Sequence, residues 1–293
     1  SPFKNPELHP DSPKGEHLPN RLAEETANYI SKNKDQPFLA YLSFYSVHTP
    51  LQGRKDLVEK YKKKAAKISG EEFGPLHDRK VRILQKHTVY AAMVEAMDEA
   101  VGKVLSALDE AGITDNTMVF FTSDNGGLST SEGSPTSNLP LRGGKGWVYE
   151  GGIRVPTIMR WSEKITQKSK LKKGSSTDWV MDCSDLLPTF CELAGVPIPL
   201  GVSGVSLAPT LTGKGIQRPR DFLIHEAGNQ ASIIDGQYKL IRPRGDTKSS
   251  ASSKKKKRKK EPVTMLFDLN TDPAEQNNLV NARPQLVKEL NAL

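Results

Sequence analysis

From Tyr90 to Leu108 the apolar residues Tyr90, Met93, Val94, Met97, Val101, Val104, Leu105 and Leu108 recur at intervals of three and four. That spacing puts them on one face of a long helix, and Gly112 supplies its C-terminal stop. After the turn ITDN comes TMVFFT, a β-branched and aromatic strand that runs directly into SDNGG. Upstream, PFLAYLSF is a second apolar run of strand length, leading into YSVHTPLQ. A long helix between two buried-looking strands is the signature of an α/β fold with a largely parallel sheet, because a parallel return needs a crossover. Ligands of such sheets collect where loops leave the carboxyl ends of the strands. His48 and Asp124 stand at two such ends.

The remaining segments are read the same way. Prolines at 2, 6, 10, 13 and 19 favour an extended, irregular opening, and Leu22 to Lys32 has helical periodicity. The lysine-rich stretch to about Leu76 reads as a surface excursion. The Gly-rich LRGGKGWVYEGGIRVP precedes a third strand, PTIMRW. A helix over 184–194 follows, opened by Ser184 or Asp185 with Pro188 in its first turn. Cys183 and Cys191 are eight residues apart in the helical segment DCSDLLPTFCELAG, about 12 Å along a helix axis. They are beyond disulfide reach and read as two buried apolar thiols. Past Gly213 the pieces DFLIHE, ASIID, GQYKLIR and MLFDL are short strands, the middle two joined by an Asp235-Gly236 hairpin turn. Pro284 to Leu293 closes as a short amphipathic helix. The expected division is 1–216 for a main α/β domain and 217–293 for a small α+β unit, with a basic insertion over 249–261.

Charge narrows the function classes. The 293 residues carry a formal charge of +8, and Lys254 to Lys260, KKKKRKK, supplies seven of those charges. The basic balance thus belongs to one loop, read as a solvated insertion between two strands rather than a surface for nucleic acid. No apolar stretch approaches the roughly 18 residues of a membrane span.

Three groups of residues have the chemistry of a site. Asp124 and Asn125 set hard oxygen ligands side by side on a Gly-permitted turn, the kind that bind Ca²⁺ or Mg²⁺. Lys145 lies among Gly143, Gly144 and Gly146, where backbone can approach a tetrahedral anion and the ammonium can meet its oxygens. His48, before Thr49-Pro50, has the chemistry to donate a proton or a hydrogen bond to an anion.

The strings FLAYLSFYSVHTPLQ, YAAMVEAMDEAVGKVLSALDEAGITDNTMVFFTSDNGG, PLRGGKGWVYEGGIRVP, DLLPTFCELAGV and LFDLNTDPAEQNNL, in this order, resemble the type I sulfatase (arylsulfatase) family of the alkaline-phosphatase-like superfamily. The resemblance runs from about Leu22 to Leu279. It implies a largely parallel sheet flanked by helices with its N-terminal strands missing, and a small antiparallel C-terminal subdomain. It further implies a sulfuric ester hydrolase acting on a sulfated carbohydrate, with Asp124 and Asn125 as Ca²⁺ (or Mg²⁺) ligands. Lys145 and His48 would be the catalytic and sulfate-binding residues, and Glu150 and Arg154 a structural pair. Family members place further metal-binding aspartates and a C/S-x-P-x-R motif, whose Cys or Ser becomes formylglycine, near the N-terminus. Neither C-x-P-x-R nor S-x-P-x-R occurs in these 293 residues, so the chain is expected to be a fragment with formylglycine upstream of Ser1. A periplasmic, extracellular or lysosomal location is implied. Two alternatives stay open: a phosphonate or phosphodiester hydrolase of the same superfamily, and a non-catalytic protein that binds sulfated glycans.

Overall fold

The computed structural model describes residues 16–161, 174–177, 179–214, 222–244 and 263–293. The basic run Lys254 to Lys260 lies outside them. The chain forms two compact units, residues 1–70 with 86–118, and residues 71–85 with 119–293.

The first unit is helical. Helices α1 (Leu18–Asn33) and α2 (Lys55–Ala65) pack on α3 (Thr88–Glu110). The periodic run does form α3, and Gly112 follows it at φ +70°. Its fully buried stripe, however, is Ala92, Met93, Ala96, Ala100 and Leu108, while Val94 is exposed. Small side chains let neighbouring helices approach closely, so three alanines join Met93 and Leu108 in the enclosed stripe while Val94 of the expected face is left out. Leu57 of α2 seals against Ala92 and Ala96, with Val58 and Tyr61 beside it. Ion pairs rim the contacts: Lys103 with Glu24, Arg54 with Glu99, and Lys60 with Glu95 at 2.5 Å. α2 falls inside the stretch read as a surface excursion. Its one enclosed residue, Leu57, gives too faint a period to read in the sequence. PFLAYLSF is not a strand: it pairs with nothing among the described residues, and Leu39, Tyr41 and Tyr45 are exposed. Backbone donors there have no ladder partner, and strand assignment is a property of the pair, which sequence pattern alone does not supply.

In the second unit β1 (Phe73–Leu76) and β2 (Arg79–Arg82) form a hairpin with His77 at φ +53° in its turn. β3 (Val119–Thr122) pairs antiparallel with β4 (Thr157–Arg160), so TMVFFT and PTIMRW are strands as expected. Short helix α4 (Glu150–Ile153) lies between them in sequence. A 3₁₀ turn, Cys183–Asp185, leads into α5 (Leu186–Ala194), which ends at Gly195 with φ +69°. The cap is Asp182, whose side chain accepts from Ser184 N in a capping box with Asp185. After α6 (Ala208–Leu211) come β5 (Leu223–Ala227), β6 (Gln230–Asp235), β7 (Tyr238–Pro243) and β8 (Met265–Asp268). These form one antiparallel sheet in sequence order, with Asp235 paired to Tyr238 across the turn at Gly236. Helix α7 (Pro284–Ala292) follows.

Helices and sheets are mixed and the small antiparallel C-terminal sheet is present as expected, but the largely parallel sheet is not formed among the described residues, where every strand pair is antiparallel. The C-terminal sheet is covered on both faces. Leu240 and Leu266 pack with Ile233 and Leu290 on one side, and Ile241, Met265 and Phe267 with Val148 and Tyr149 on the other. Two-sided burial fits the uninterrupted apolar runs LI at 240–241 and MLF at 265–267. No described helix is long and apolar enough to cross a membrane.

Candidate functional site

Three glycine pairs, 126–127, 143–144 and 151–152, bring the SDNGG, GGKG and EGG segments into one interlocked body of backbone. Gly126 N donates to Gly152 O at 2.9 Å, Gly151 N to Arg142 O at 2.8 Å, and Lys145 N to Gly127 O at 3.1 Å. A Cβ at Gly126 would stand 1.8 Å from Gly151 O, and one at Gly144 would stand 2.4 Å from Gly127 O. No side chain fits at either contact, so these glycines are required by close approach rather than by turn geometry alone. Asp124 and Asn125 leave the end of β3, and Lys145 lies on the neighbouring loop, stitched to their turn two residues past Asn125.

Asn125 Nδ2 donates to Asp124 Oδ2 at 2.5 Å, and Ser123 Oγ donates to Asn125 O at 3.0 Å. Asp124 is exposed, and Asn125 and Lys145 are half-buried, which leaves the pair accessible to a ligand. Asn138 went unnoticed in the sequence and is the staple of the site. Its Oδ1 accepts from Gly127 N at 3.1 Å, while its Nδ2 donates to Gly127 O at 2.8 Å and Gly143 O at 2.9 Å. Ser129 Oγ adds a bond to Gly143 O at 2.9 Å. An isolated Asn in TSNLP carries no periodic or motif signal that would reveal this.

Behind the loops, Glu150 heads α4 and is buried. Its pairing with Arg154 is present but long, 3.8 Å. The stronger partner is Lys239 of β7, fully enclosed, whose Nζ lies 2.9 Å from Glu150 Oε1 and 2.8 Å from Glu275 Oε1. Glu275 Oε2 also accepts from Glu150 N at 2.7 Å. Burial raises the Glu275 carboxyl above the usual carboxylate range, with Lys239 opposing the shift. The C-terminal sheet thereby anchors the EGG segment, and through it the SDNGG turn.

His48 belongs to the first unit. It is exposed after a turn in which its N donates to Tyr45 O at 2.9 Å, and its ring Nδ1 lies 2.7 Å from Thr49 O. The cysteines depart from expectation. Cys183 is exposed in the 3₁₀ turn and Cys191 is half-buried on α5, because the helix starts only at Leu186.

For a divalent cation the donor chemistry fits in part. A carboxylate and an amide oxygen at adjacent positions are hard ligands, but a cation such as Ca²⁺ takes six or more oxygens. Among the described residues no three His, Cys, Asp or Glu side chains converge on one point. Asp124 and Asn125 would therefore supply a share of a shell. Formylglycine does not fit these residues, since none of them occupies its motif.

The glycine loops thus set a lysine beside a carboxylate and an amide, on a fold of mixed helices and antiparallel sheets. The sulfatase family model matches residues 1–196, and the model for the C-terminal region of N-sulphoglucosamine sulphohydrolase matches residues 144–292. The chain belongs to the sulfatase family. It is 35% identical over 217 residues to human steryl-sulfatase, covering 72% of this chain and 32% of that protein. To the N-acetylgalactosamine-6-O-sulfatase of Bacteroides thetaiotaomicron it is 27% identical over 292 residues, covering 96% and 51%. The crystal structure of Ps i-CgsB in complex with k-i-k-neocarrahexaose superposes with a TM-score of 0.71 at 24% identity, over 94% of this chain and 53% of that one. The chain thus spans about a third to a half of the length of these curated relatives.

Proposed function

We propose that this chain carries the sulfate-binding part of a sulfuric ester hydrolase acting on a sulfated carbohydrate. The observation that carries the reading is the hydrogen bond from Lys145 N to Gly127 O at 3.1 Å, which fixes the ammonium-bearing loop to the turn that presents Asp124 and Asn125. The carbohydrate is supported by the N-acetylgalactosamine-6-O-sulfatase relative and by the neocarrahexaose complex.

The Lys145 ammonium neutralises charge that develops on the sulfate oxygens as the ester bond breaks. His48, on the first unit, has the chemistry to donate a proton to a leaving alcohol oxygen. Asp124 and Asn125 would hold Ca²⁺, which when bound polarises the sulfate as a Lewis acid. The staple by Asn138 keeps the two loops from drifting apart, because small displacements of charged groups are costly to catalysis.

In the complete gene product, Lys145→Ala and Asp124→Ala are each expected to lower kcat/KM on a sulfated sugar by roughly 10²–10³, the usual loss for a preorganised electrostatic group. Asp124→Ala should also lower bound Ca²⁺, read by metal analysis of the purified protein. Activity and metal content like the parent's would remove the assignment. His48→Ala should injure esters of poorly acidic alcohols more than activated aryl sulfates, since a good leaving group needs little protonation. Equal loss on both substrates would give His48 a binding role instead.

A further inference from the structure

A cavity of about 390 Å³ opens between the β1–β2 hairpin, the 138–143 loop and the turn at 274–276, all within the second unit. Its walls are mostly apolar, with Leu76, Val81, Leu139 and Pro140 among them, and two guanidinium groups reach it, Arg82 and Arg142. Counting charge separates the two arginines. Arg82 is buried, pairs with Glu72 at 3.1 Å and donates from Nε to Ser134 O. Arg142 donates from Nη1 to the main-chain oxygen of Glu275 at 2.7 Å, and its Cζ sits 4.3 Å from the centre of the Tyr149 ring. The carboxylate of Glu275 does not serve it, being committed to Lys239 and to Glu150 N. Among the described residues no carboxylate pairs with Arg142.

Among the described residues, one half-buried cation is therefore left without a paired carboxylate in the wall of a cavity of ligand size. A guanidinium so placed has donors to spare and a planar geometry that matches an oxyanion. Stacking on Tyr149 holds it, which lowers the cost of ordering it around a ligand. Its field is felt nearby: the His77 ring, also in the cavity wall, is held below its ordinary value first by burial and then by Arg142, with Asp78 acting the other way. His77 is itself fixed, its Nε2 2.8 Å from Tyr149 Oη and its ring stacked on Trp147 and Tyr149.

We propose that this cavity is a binding subsite for an acidic sugar unit, whose carboxylate or sulfate engages Arg142 while its ring lies against Leu139 and Pro140. The sugar as carrier rests on the function proposed above, whereas the oxyanion follows from the uncompensated guanidinium and needs neither metal nor nucleophile.

The test is calorimetric titration of the 293-residue chain with glucuronate, glucose 6-sulfate, inorganic sulfate and neutral glucose. Both acidic sugars are expected to bind, more tightly than inorganic sulfate, and glucose is not. Arg142→Gln should weaken the acidic sugars by roughly ten- to a hundredfold, the loss of hydrogen bonds to a charged group. Leu139→Trp should weaken them too by filling the mouth. Leu139 is 58% exposed, so this second variant places no burden on folding if Arg142→Gln loses structure with its Glu275 contact. Lys145→Ala should leave the binding of glucuronate, which carries no sulfate, unchanged. In NMR titrations the His77 ring should titrate at higher pH when the anion is bound, because the charge that depresses it is then offset. Loss of binding in Lys145→Ala with retention in Arg142→Gln would move the anion to the glycine loops, overturning the subsite while leaving the sulfatase reading intact. Affinity unchanged in both Arg142→Gln and Leu139→Trp, inorganic sulfate binding as tightly as the sugars, or no saturable binding of either acidic sugar would also overturn the subsite.

Discussion

Lys239→Met is expected to destabilise the second unit by about 3–5 kcal/mol, the cost of breaking a buried ion pair by removing one partner. Lys239 lies on a strand enclosed on both faces and is fully buried, as is Glu275, with Glu150 nearly so. Methionine fills much of the same volume, so the loss is electrostatic: two carboxylates would remain in a dry interior facing one another with only Arg154, at 3.8 Å from Glu150, in compensation. Acid should soften the effect. Burial already raises Glu275, Lys239 is what opposes the rise, and without Lys239 the carboxyl binds its proton at still higher pH. A folded-state value above the unfolded one means that stability is gained as pH falls towards the unfolded carboxylate range and is lost as pH rises through the folded value. The deficit of Lys239→Met is thus largest at neutral pH and shrinks on acidification. Denaturant unfolding at several pH values measures it, and Lys239→Met combined with Glu275→Gln should recover part of the loss. A single-variant cost under about 1 kcal/mol at neutral pH, well below what losing one partner of a buried pair entails, would show that the network is not enclosed as described.

This network also shows where sequence reading stops. The four C-terminal strands, the Asp235-Gly236 turn and α7 were legible because short β-prone apolar runs, turn chemistry and a proline at the helix start all agree there. Strict alternation puts Lys239 on the same face as Ile241, yet nothing in GQYKLIR tells that this face is covered, or that Glu150, far off in sequence, meets it. The Gly-rich segments and SDNGG were legible as places where backbone comes close. Which glycines touch, and that Asn138 binds them together, depends on tertiary contacts with no local signature. The opposite failure occurs at PFLAYLSF, where propensity is strong and no described strand lies alongside, and at α3, where the most apolar residues are not the most buried. The isolated signals at Asp124, Asn125 and Lys145 gained weight only when the fold joined their loops, whereas His48 remains on the other unit.

The 293-residue chain by itself is expected to show no measurable turnover of an activated aryl sulfate, even with Ca²⁺. The argument turns on the nucleophile. Neither cysteine is followed two residues on by proline, and no serine is, so nothing in the sequence meets the formylglycine motif. The nearest substitutes fail on chemistry. Although Cys183 is exposed as a whole, partial desolvation raises its thiol, and the carboxylates of Asp182 and Asp124 raise it further. At neutral pH it is a thiol rather than a thiolate, and the thiolate is the attacking species. Ser123 Oγ donates to Asn125 O at 3.0 Å and reaches Asp124 Oδ1 only at 3.5 Å, an arrangement that commits its proton to a main-chain oxygen rather than to a well-placed base. What remains is electrostatic stabilisation from Lys145 and whatever cation the Asp124 turn attracts, and such remnants retain a small fraction of an enzyme's rate. Assaying the purified chain with an activated aryl sulfate, alongside Cys183→Ser, decides the matter. Turnover comparable to an intact sulfatase would overturn the argument, and a rate abolished specifically by Cys183→Ser would identify the thiol as a nucleophile that its surroundings should have silenced.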